Sequence, residues 1–366
     1  GLINRVTKKA VVGQSGGSFD VGADSFGAFD VAADYNIQTG ANSALRINAH
    51  RDSLENHRNL FDGQRVGFNP TFRIELDSNT RLDLSYEHAN HERFIDRGIP
   101  TENGVPVEAL ADITFGTGDL NVQRLTADIF KGSLSSELSS GSRLNVNLQY
   151  DTFDKLYQNL YASGYDGTLV TMDGYKDPTA RENLFFDTNF ITEFDTGSVS
   201  HTMSIGGQIV STENQNHRFN TFWSTTSDDN EVFNVTNPMN FSVNSAGVAT
   251  SVDFTSDLNN STSSSIDVTS VYIQDQINIG DNLILMLGGR IDNFDITVND
   301  IKAGSSQSRD DSEFSPRAGV IFKPQDSLSL YFSYSESFLP RSGEQFKKLS
   351  ESSARLDPDV FENTEI

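Results

Sequence analysis

The stretch Arg65-Val-Gly-Phe-Asn-Pro-Thr-Phe-Arg-Ile-Glu-Leu-Asp77 alternates apolar and polar side chains with a period of two. Val66, Phe68, Phe72, Ile74 and Leu76 fall on one face, and Arg65, Asn69, Thr71, Arg73, Glu75 and Asp77 on the other. Successive side chains of a β-strand point to opposite faces, so the stretch is a strand with one apolar surface. Pro70 sits on the apolar side without an N–H to give, a weak point in any ladder. The pattern returns in Leu82, Leu84 and Tyr86, then in Leu144, Val146, Leu148 and Tyr150. It returns again in Leu184, Phe186, Phe190 and Phe194, and in Leu328, Leu330, Phe332 and Tyr334.

Extended along the chain, this reading predicts about twelve strands, their ends uncertain by ~2–4 residues. They cover 18–36, 43–53, 65–77, 81–94, 120–135, 143–157, 182–194, 199–212, 266–279, 283–298, 313–323 and 328–338. Such lengths exceed the ~5–6 residues usual in soluble sheets and suit tilted strands crossing a bilayer. The connections sort by length. Short turns at Asp77–Thr80, Ser139–Ser142, Asp195–Ser198, Gly280–Asn282 and Lys323–Ser327 alternate with long stretches at 54–64, 95–119, 158–180, 213–265 and 299–312. That asymmetry belongs to an all-β transmembrane antiparallel β-barrel with short periplasmic turns and long extracellular loops. A soluble sandwich does not sort its loops this way, and a solenoid needs a fixed repeat.

Composition agrees once the pattern is known. Acidic residues number 51 against 27 basic, a net charge of −24, which argues against nucleic acid as a partner. There is no cysteine, hence no disulfide or thiolate chemistry. The longest apolar run is Leu283 to Leu287, far short of the ~20 residues a membrane helix needs. A strand gives only every second residue to lipid, so a barrel needs no such run. Of the aromatic residues, 26 are Phe, many near strand ends, where membrane interfaces collect rings. The first methionine is Met172 and no signal peptide opens the chain, so the sequence is expected to be a piece of a longer protein.

Several segments resemble the TonB-dependent siderophore receptors of Gram-negative outer membranes. Gly1-Leu-Ile-Asn-Arg-Val-Thr-Lys8 looks like the end of that family's plug domain, although Ala10 stands where the family often has Pro. Gly17-Ser-Phe-Asp20 is similar to the start of its first barrel strand, and Phe94-Ile-Asp-Arg-Gly-Ile-Pro100 to the loop after its fourth. The most specific likeness is in Ser315–Pro324 and Leu328–Pro340, followed by Gly343 and Leu356-Asp-Pro358. The resemblance implies a 22-stranded barrel closed around a plug. Residues 1–12 would be the end of the plug and 13–366 the N-terminal part of the barrel, with Phe361–Ile366 entering a thirteenth strand.

The same resemblance implies uptake of a ferric siderophore across the cell outer membrane, energised through TonB by way of the missing N-terminal region. Lipid and lipopolysaccharide would surround the barrel. No enzyme chemistry or resident cofactor is expected, and no catalytic or phosphate-binding motif is present. Ligand contacts are expected from aromatic and Arg residues near the extracellular rim: Arg97, Tyr157, Tyr161, Tyr165, Phe222, Trp223 and Arg341. Aromatic faces pack on chelate rings, and guanidinium pairs with anions. His88 and His91 are the nearest thing to a metal pair, but on one strand they face opposite ways and no metal site is expected. The Asp/Ser/Asn-rich stretch 224–265 reads as a flexible loop, with a folded lid as the alternative. Arg309-Asp-Asp311 reads as solvated charge, with a cation bridge to lipopolysaccharide as the alternative.

Competing readings are TonB-dependent uptake of haem, cobalamin or an oligosaccharide, and a passive porin. An acidic chain also raises a question: an anionic chelate would need a local basic patch. A sheet with two open edges cannot sit in lipid, because unpaired backbone groups there cost several kcal/mol each. Residues 1–366 expressed alone are therefore expected to give no heat-modifiable, protease-resistant barrel in detergent; recovering one overturns this reading.

Overall fold

The computed structural model describes residues 5–139, 141–325, 327–342 and 348–366. Gly1–Asn4 of the plug-like opening, Ser140 and Asp326 of two turns, and Gly343 lie outside the described residues. The strands are β1 (Gly16–Ala23), β2 (Phe29–Gly40), β3 (Ser43–Glu55), β4 (Asp62–Glu75), β5 (Thr80–Phe94), β6 (Thr101–Glu102), β7 (Val105–Pro106), β8 (Val122–Ser139) and β9 (Ser142–Tyr165). They continue with β10 (Leu169–Thr196), β11 (Val199–Trp223), β12 (Glu231–Asn234), β13 (Val252–Ile279), β14 (Leu283–Asp300), β15 (Ser305–Gln325), β16 (Leu328–Leu339) and β17 (Asp359–Glu365). All but β6 and β7 form one fifteen-stranded antiparallel sheet, each strand beside its neighbour in sequence, with β12 as a short addition on β10. Among the described residues β1 pairs only with β2, and β17 only with β16.

The alternation sets the two faces as expected. Phe68, Leu84, Phe130, Leu148, Leu184, Ile205, Val271, Leu287 and Phe314 are exposed on one face, where lipid would cover them. The other face is polar and laced across strands: Ser133 Oγ donates to Asn147 Oδ1 (2.7 Å), and Asn145 Nδ2 to Asn189 Oδ1 (2.8 Å). Pro70 has the predicted effect. The β4–β5 ladder is interrupted between Phe68↔His88 and Thr71↔Ser85, with the register the same on either side, and Asn69 Nδ2 donates to the Tyr86 carbonyl there at 2.6 Å. Along the polar face of β2–β5 lies the segment before β1. Asn36 clasps Val11 by both its backbone groups (2.9 and 2.8 Å), Lys8 pairs with Asp34 (2.7 Å), and Arg5 pairs with Glu87.

Several strand ends differ from the sequence-based expectation. The stretch 18–36 is two strands, parted by a turn in which Asp24 Oδ1 accepts the Phe26 and Ala28 N–H groups. Positions 158–180 and 299–312 are not loops: β9 and β10 meet through 166–168, and β14 and β15 through 301–304. Nor is 224–265 a flexible loop, because β13 begins at Val252 and pairs with β11 up to Trp223. β9, β10, β11 and β13 run 24, 28, 25 and 28 residues, against the ~9–11 that cross a bilayer. Arg309 and Asp311 are corrected too. Their side chains are 6% and 7% exposed, paired with each other, and Arg309 Nη1 donates to the Ser353 and Leu356 carbonyls.

The extended ends have a core of their own. Above Tyr150 and Leu184 the outward positions of β9 and β10 are Leu160, Val170 and Met172, all fully buried. They pack with Trp223, Phe233 and Phe254 and with Ile113 and Phe115 of the segment between β5 and β8. Protein takes over as the apolar cover where lipid stops. Phe233 is central, 5.0 Å from the Trp223 ring and 5.4 Å from Phe241. Truncating a buried Phe costs about 3–5 kcal/mol. In the intact receptor, Phe233→Ala is expected to make 231–251 cleavable by external protease at least about tenfold faster, with heat-modifiability of the barrel kept.

Candidate functional site

On the polar face of these extensions the alternation of β9 presents Tyr157, Asn159 and Tyr161, and that of β10 presents Asp173, Tyr175 and Asp177. Arg218 of β11 comes from the neighbouring strand, and Arg97 from the loop after β5. Tyr175 is the centre. Its ring stacks on Tyr157 at 5.8 Å and meets Tyr161 edge-on at 6.3 Å. The Arg218 guanidinium lies 4.4 Å from its centroid, and Arg97 lies 5.9 Å from it and 5.0 Å from that of Tyr161. Arg97 Nη1 also donates to Tyr175 Oη at 2.9 Å. Each cation over a ring contributes about 0.5–2 kcal/mol, more as water leaves.

Carboxylates hold the cluster in place. Arg218 donates through two nitrogens to Asp177, Nε at 2.7 Å, which keeps the guanidinium protonated and raises its pKa. Tyr161 Oη donates to Asp173 Oδ2 at 3.0 Å. Burial, with the Asp173 charge beside it, pushes the Tyr161 phenol up to about 12. Asp229 is pushed up too, by burial and then by the charges of Asp173 and Asp228. Under the rings Asn159 is fully buried, with an Oδ1 that has no hydrogen-bond partner among the described residues.

Of the residues expected from sequence, Arg97, Tyr157 and Tyr161 come together here. Tyr165 does not. Spacing alone puts it on the same face, but the β9–β10 register steps from Thr171↔Gly164 to Met172↔Ala162, and this bulge at Ser163 turns Tyr165 into the apolar core. Trp223 is fully buried against Phe233 and has no surface to offer a ligand. Phe222 is half-buried next to it, paired with Asp253. Arg341 follows β16, away from the cluster, in an ion pair with Asp359 of β17 at 2.5 Å. Tyr175, Arg218, Asp173 and Asp177 were missed because they fell in stretches read as loops. No apolar–polar alternation marks Glu213–Arg218, so nothing in that stretch flagged Arg218 as a strand residue.

His88 and His91 lie on one continuous strand and so face opposite sides, as expected; His88 Nδ1 is 2.9 Å from Asp128. No group of three or more His, Cys, Asp or Glu side chains suited to a metal ion occurs among the described residues.

A sheet with a lipid-ready outer face, a polar inner face and a rigid aromatic–guanidinium cluster above the membrane defines an outer-membrane receptor barrel. Residues 67–366 match the family described as TonB dependent receptor-like, beta-barrel, and the chain belongs to that family. The "Probable TonB-dependent siderophore receptor PiuA" of Acinetobacter baumannii is 24% identical, over 100% of this chain and 53% of its own length. The "Ferrichrome outer membrane transporter/phage receptor" of Escherichia coli is 33% identical over 45% of this chain and 21% of its own. The crystal structure of PiuA superposes with a TM-score of 0.81 at 19% identity, covering 98% of this chain and 55% of that one. The chain thus spans about half the length of the relatives that it matches throughout. Its place is the Gram-negative outer membrane.

The Tyr161 phenol is expected to stay a neutral donor at every physiological pH. A raised acid pKa favours the protonated form, so its bond to Asp173 persists below the shifted value and is lost as pH rises through it. Ultraviolet titration of the intact receptor, with Tyr161→Phe as reference, is expected to show this tyrosine ionising near 12. Asp173→Asn is expected to bring the midpoint down toward the ordinary phenol range.

Proposed function

We propose that the protein captures a ferric siderophore at the outer surface and passes it inward on energy supplied through TonB. The cluster of Arg97, Tyr157, Tyr161, Tyr175 and Arg218 carries this reading. It is aromatic, held by the Arg218–Asp177 ion pair and, apart from Arg97, mounted on strands, where positions are better kept than on free loops. Flat rings pack against the apolar edges of a chelate, and guanidinium and phenol groups donate to its oxygen atoms. Iron enters as cargo, and the reading requires neither a resident cofactor nor covalent chemistry.

Residues 1–12 are read as the end of a plug and 13–366 as barrel wall. The ion pairs of Arg5 with Glu87 and of Lys9 with Asp83 (3.3 Å) then tie plug to wall. Lipid and lipopolysaccharide are the expected neighbours of the exposed apolar face, and nucleic acid is no partner. Family membership favours an energised receptor over a passive porin. Haem, cobalamin or an oligosaccharide remains the second reading, and the charged, tyrosine-lined cluster favours a chelate over a neutral sugar.

In the intact receptor, Tyr175→Ala and Arg97→Ala are each expected to weaken ferric siderophore binding by about tenfold or more. Receptor abundance in the outer membrane is expected to be unchanged. Growth on that siderophore under iron limitation is expected to fall in step. Unchanged affinity in both variants overturns the assignment of this cluster, and saturable binding of haem or cobalamin instead overturns the cargo.

A further inference from the structure

We propose that Arg58, in the turn between β3 and β4, is the positioning residue for Arg97 and through it sets the affinity of the tyrosine cluster for its cargo. The proposal rests on the cluster being the siderophore site. The two guanidinium groups of that cluster are held differently. Arg218 stands on a strand and is gripped directly by Asp177. Arg97 stands on the loop after β5, with phenol oxygens as its partners and no carboxylate on it among the described residues. A long side chain on a loop keeps one place over two rings only if its backbone is fixed from elsewhere.

Asp96 fixes it from the neighbouring position. Its Oδ1 accepts the Gly98 N–H at 2.9 Å, closing a turn around Arg97 that Gly98 completes with a left-handed backbone at φ 82°. Its Oδ2 accepts Arg58 Nε at 2.6 Å. The rest of the Arg58 fork is spent on the same loop: Nη1 donates to the Ala111 carbonyl and Nη2, at 3.1 Å, to that of Ile113. The side chains of Arg58 and Asp96 are 19% and 15% exposed, so the pair is mostly out of water and unlike a surface bridge that salt dissolves. One guanidinium thus ties the turn at Arg97 to the middle of the loop, where Ile113 and Phe115 enter the apolar core.

The turn that carries Arg58 is itself held. Leu60 has a left-handed backbone (φ 66°), uncommon for an apolar side chain. The Arg58 N–H donates to Asn56 Oδ1 at 2.7 Å, and Thr114 Oγ1 returns a bond to the Asn59 carbonyl at 3.0 Å. The root of the loop has a separate anchor. Asn121, fully buried, donates to the Ile95 and Leu160 carbonyls at 3.0 and 2.8 Å and so fastens the loop to β9. Asn121 fixes the root, and Arg58 fixes the turn that presents Arg97. Among the described residues no Arg58 hydrogen bond goes to a tyrosine of the cluster, so its effect on the site runs through Arg97.

The test is a double-mutant cycle in the intact receptor. The probes are ferrichrome and the ferric complex of a synthetic tripodal tris-catecholamide, and the cycle is read on whichever binds more tightly. Arg58→Ala is expected to weaken binding about fivefold or more when Arg97 is present, and by less than about twofold in an Arg97→Ala background. A general loosening of the loop would cost binding in both backgrounds. Asp96→Asn keeps an oxygen for the Gly98 N–H and removes the charge that Arg58 meets. It is expected to show the same dependence on Arg97 with a smaller loss, and it decides alone if Arg58→Ala is not recovered from the outer membrane. A loss of equal size with and without Arg97, or no loss in either variant, overturns the proposal while the cluster reading stands. Unchanged affinity in Arg97→Ala removes Arg97 from the site and the proposal with it. Saturable binding of neither probe overturns the siderophore reading itself.

Discussion

In hydrocarbon no water is available to a backbone N–H or C=O, so each must find its partner within the protein. The rest of this structure follows from that demand. It makes every long strand pair with its sequence neighbours, forces short connections where the chain turns back, and leaves side chains two destinations. One face meets lipid and is apolar; the other is polar and bonds to itself across strands. Even the flaw obeys the demand: where Pro70 breaks the ladder, the Asn69 amide bonds to the Tyr86 carbonyl beside it.

Beyond the membrane the demand relaxes, and the strands use the freedom. β9, β10, β11 and β13 keep pairing, but their outward face no longer has lipid to cover it. The segments around Ile113–Phe115 and Phe233 fold over that face and bury Leu160, Met172 and Trp223. The stiff platform so made carries the tyrosine–guanidinium cluster on its opposite side. Packing on one face is thus what fixes the position of the site on the other, and the ion pair of Arg218 with Asp177 and the hydrogen bond from Tyr161 to Asp173 complete the alignment.

The sequence was most legible where the physics was most restrictive. Within the membrane, alternation located the strands and turns because each residue had to suit lipid or the polar interior. Above it, strands such as β11 past Asn214 have polar residues on both faces, and the signal that finds strands disappears. Much of 213–265 and 299–312 was read as loop for that reason. Asp24 hid a turn inside 18–36 because its effect is local bonding and leaves hydrophobicity unaltered.

The amino-acid sequence by itself determined the class of fold, the face each membrane residue takes, and the tyrosine- and arginine-rich rim, since these follow from side-chain chemistry and a period of two. Tertiary structure decided which rim residues meet. A one-residue bulge at Ser163 sent Tyr165 into the core and left Tyr157 and Tyr161 at the site. Pairing across strands brought Arg218 over Tyr175 and set Asp177 against it. Those contacts join residues far apart in the chain, so the cluster could not be counted from composition.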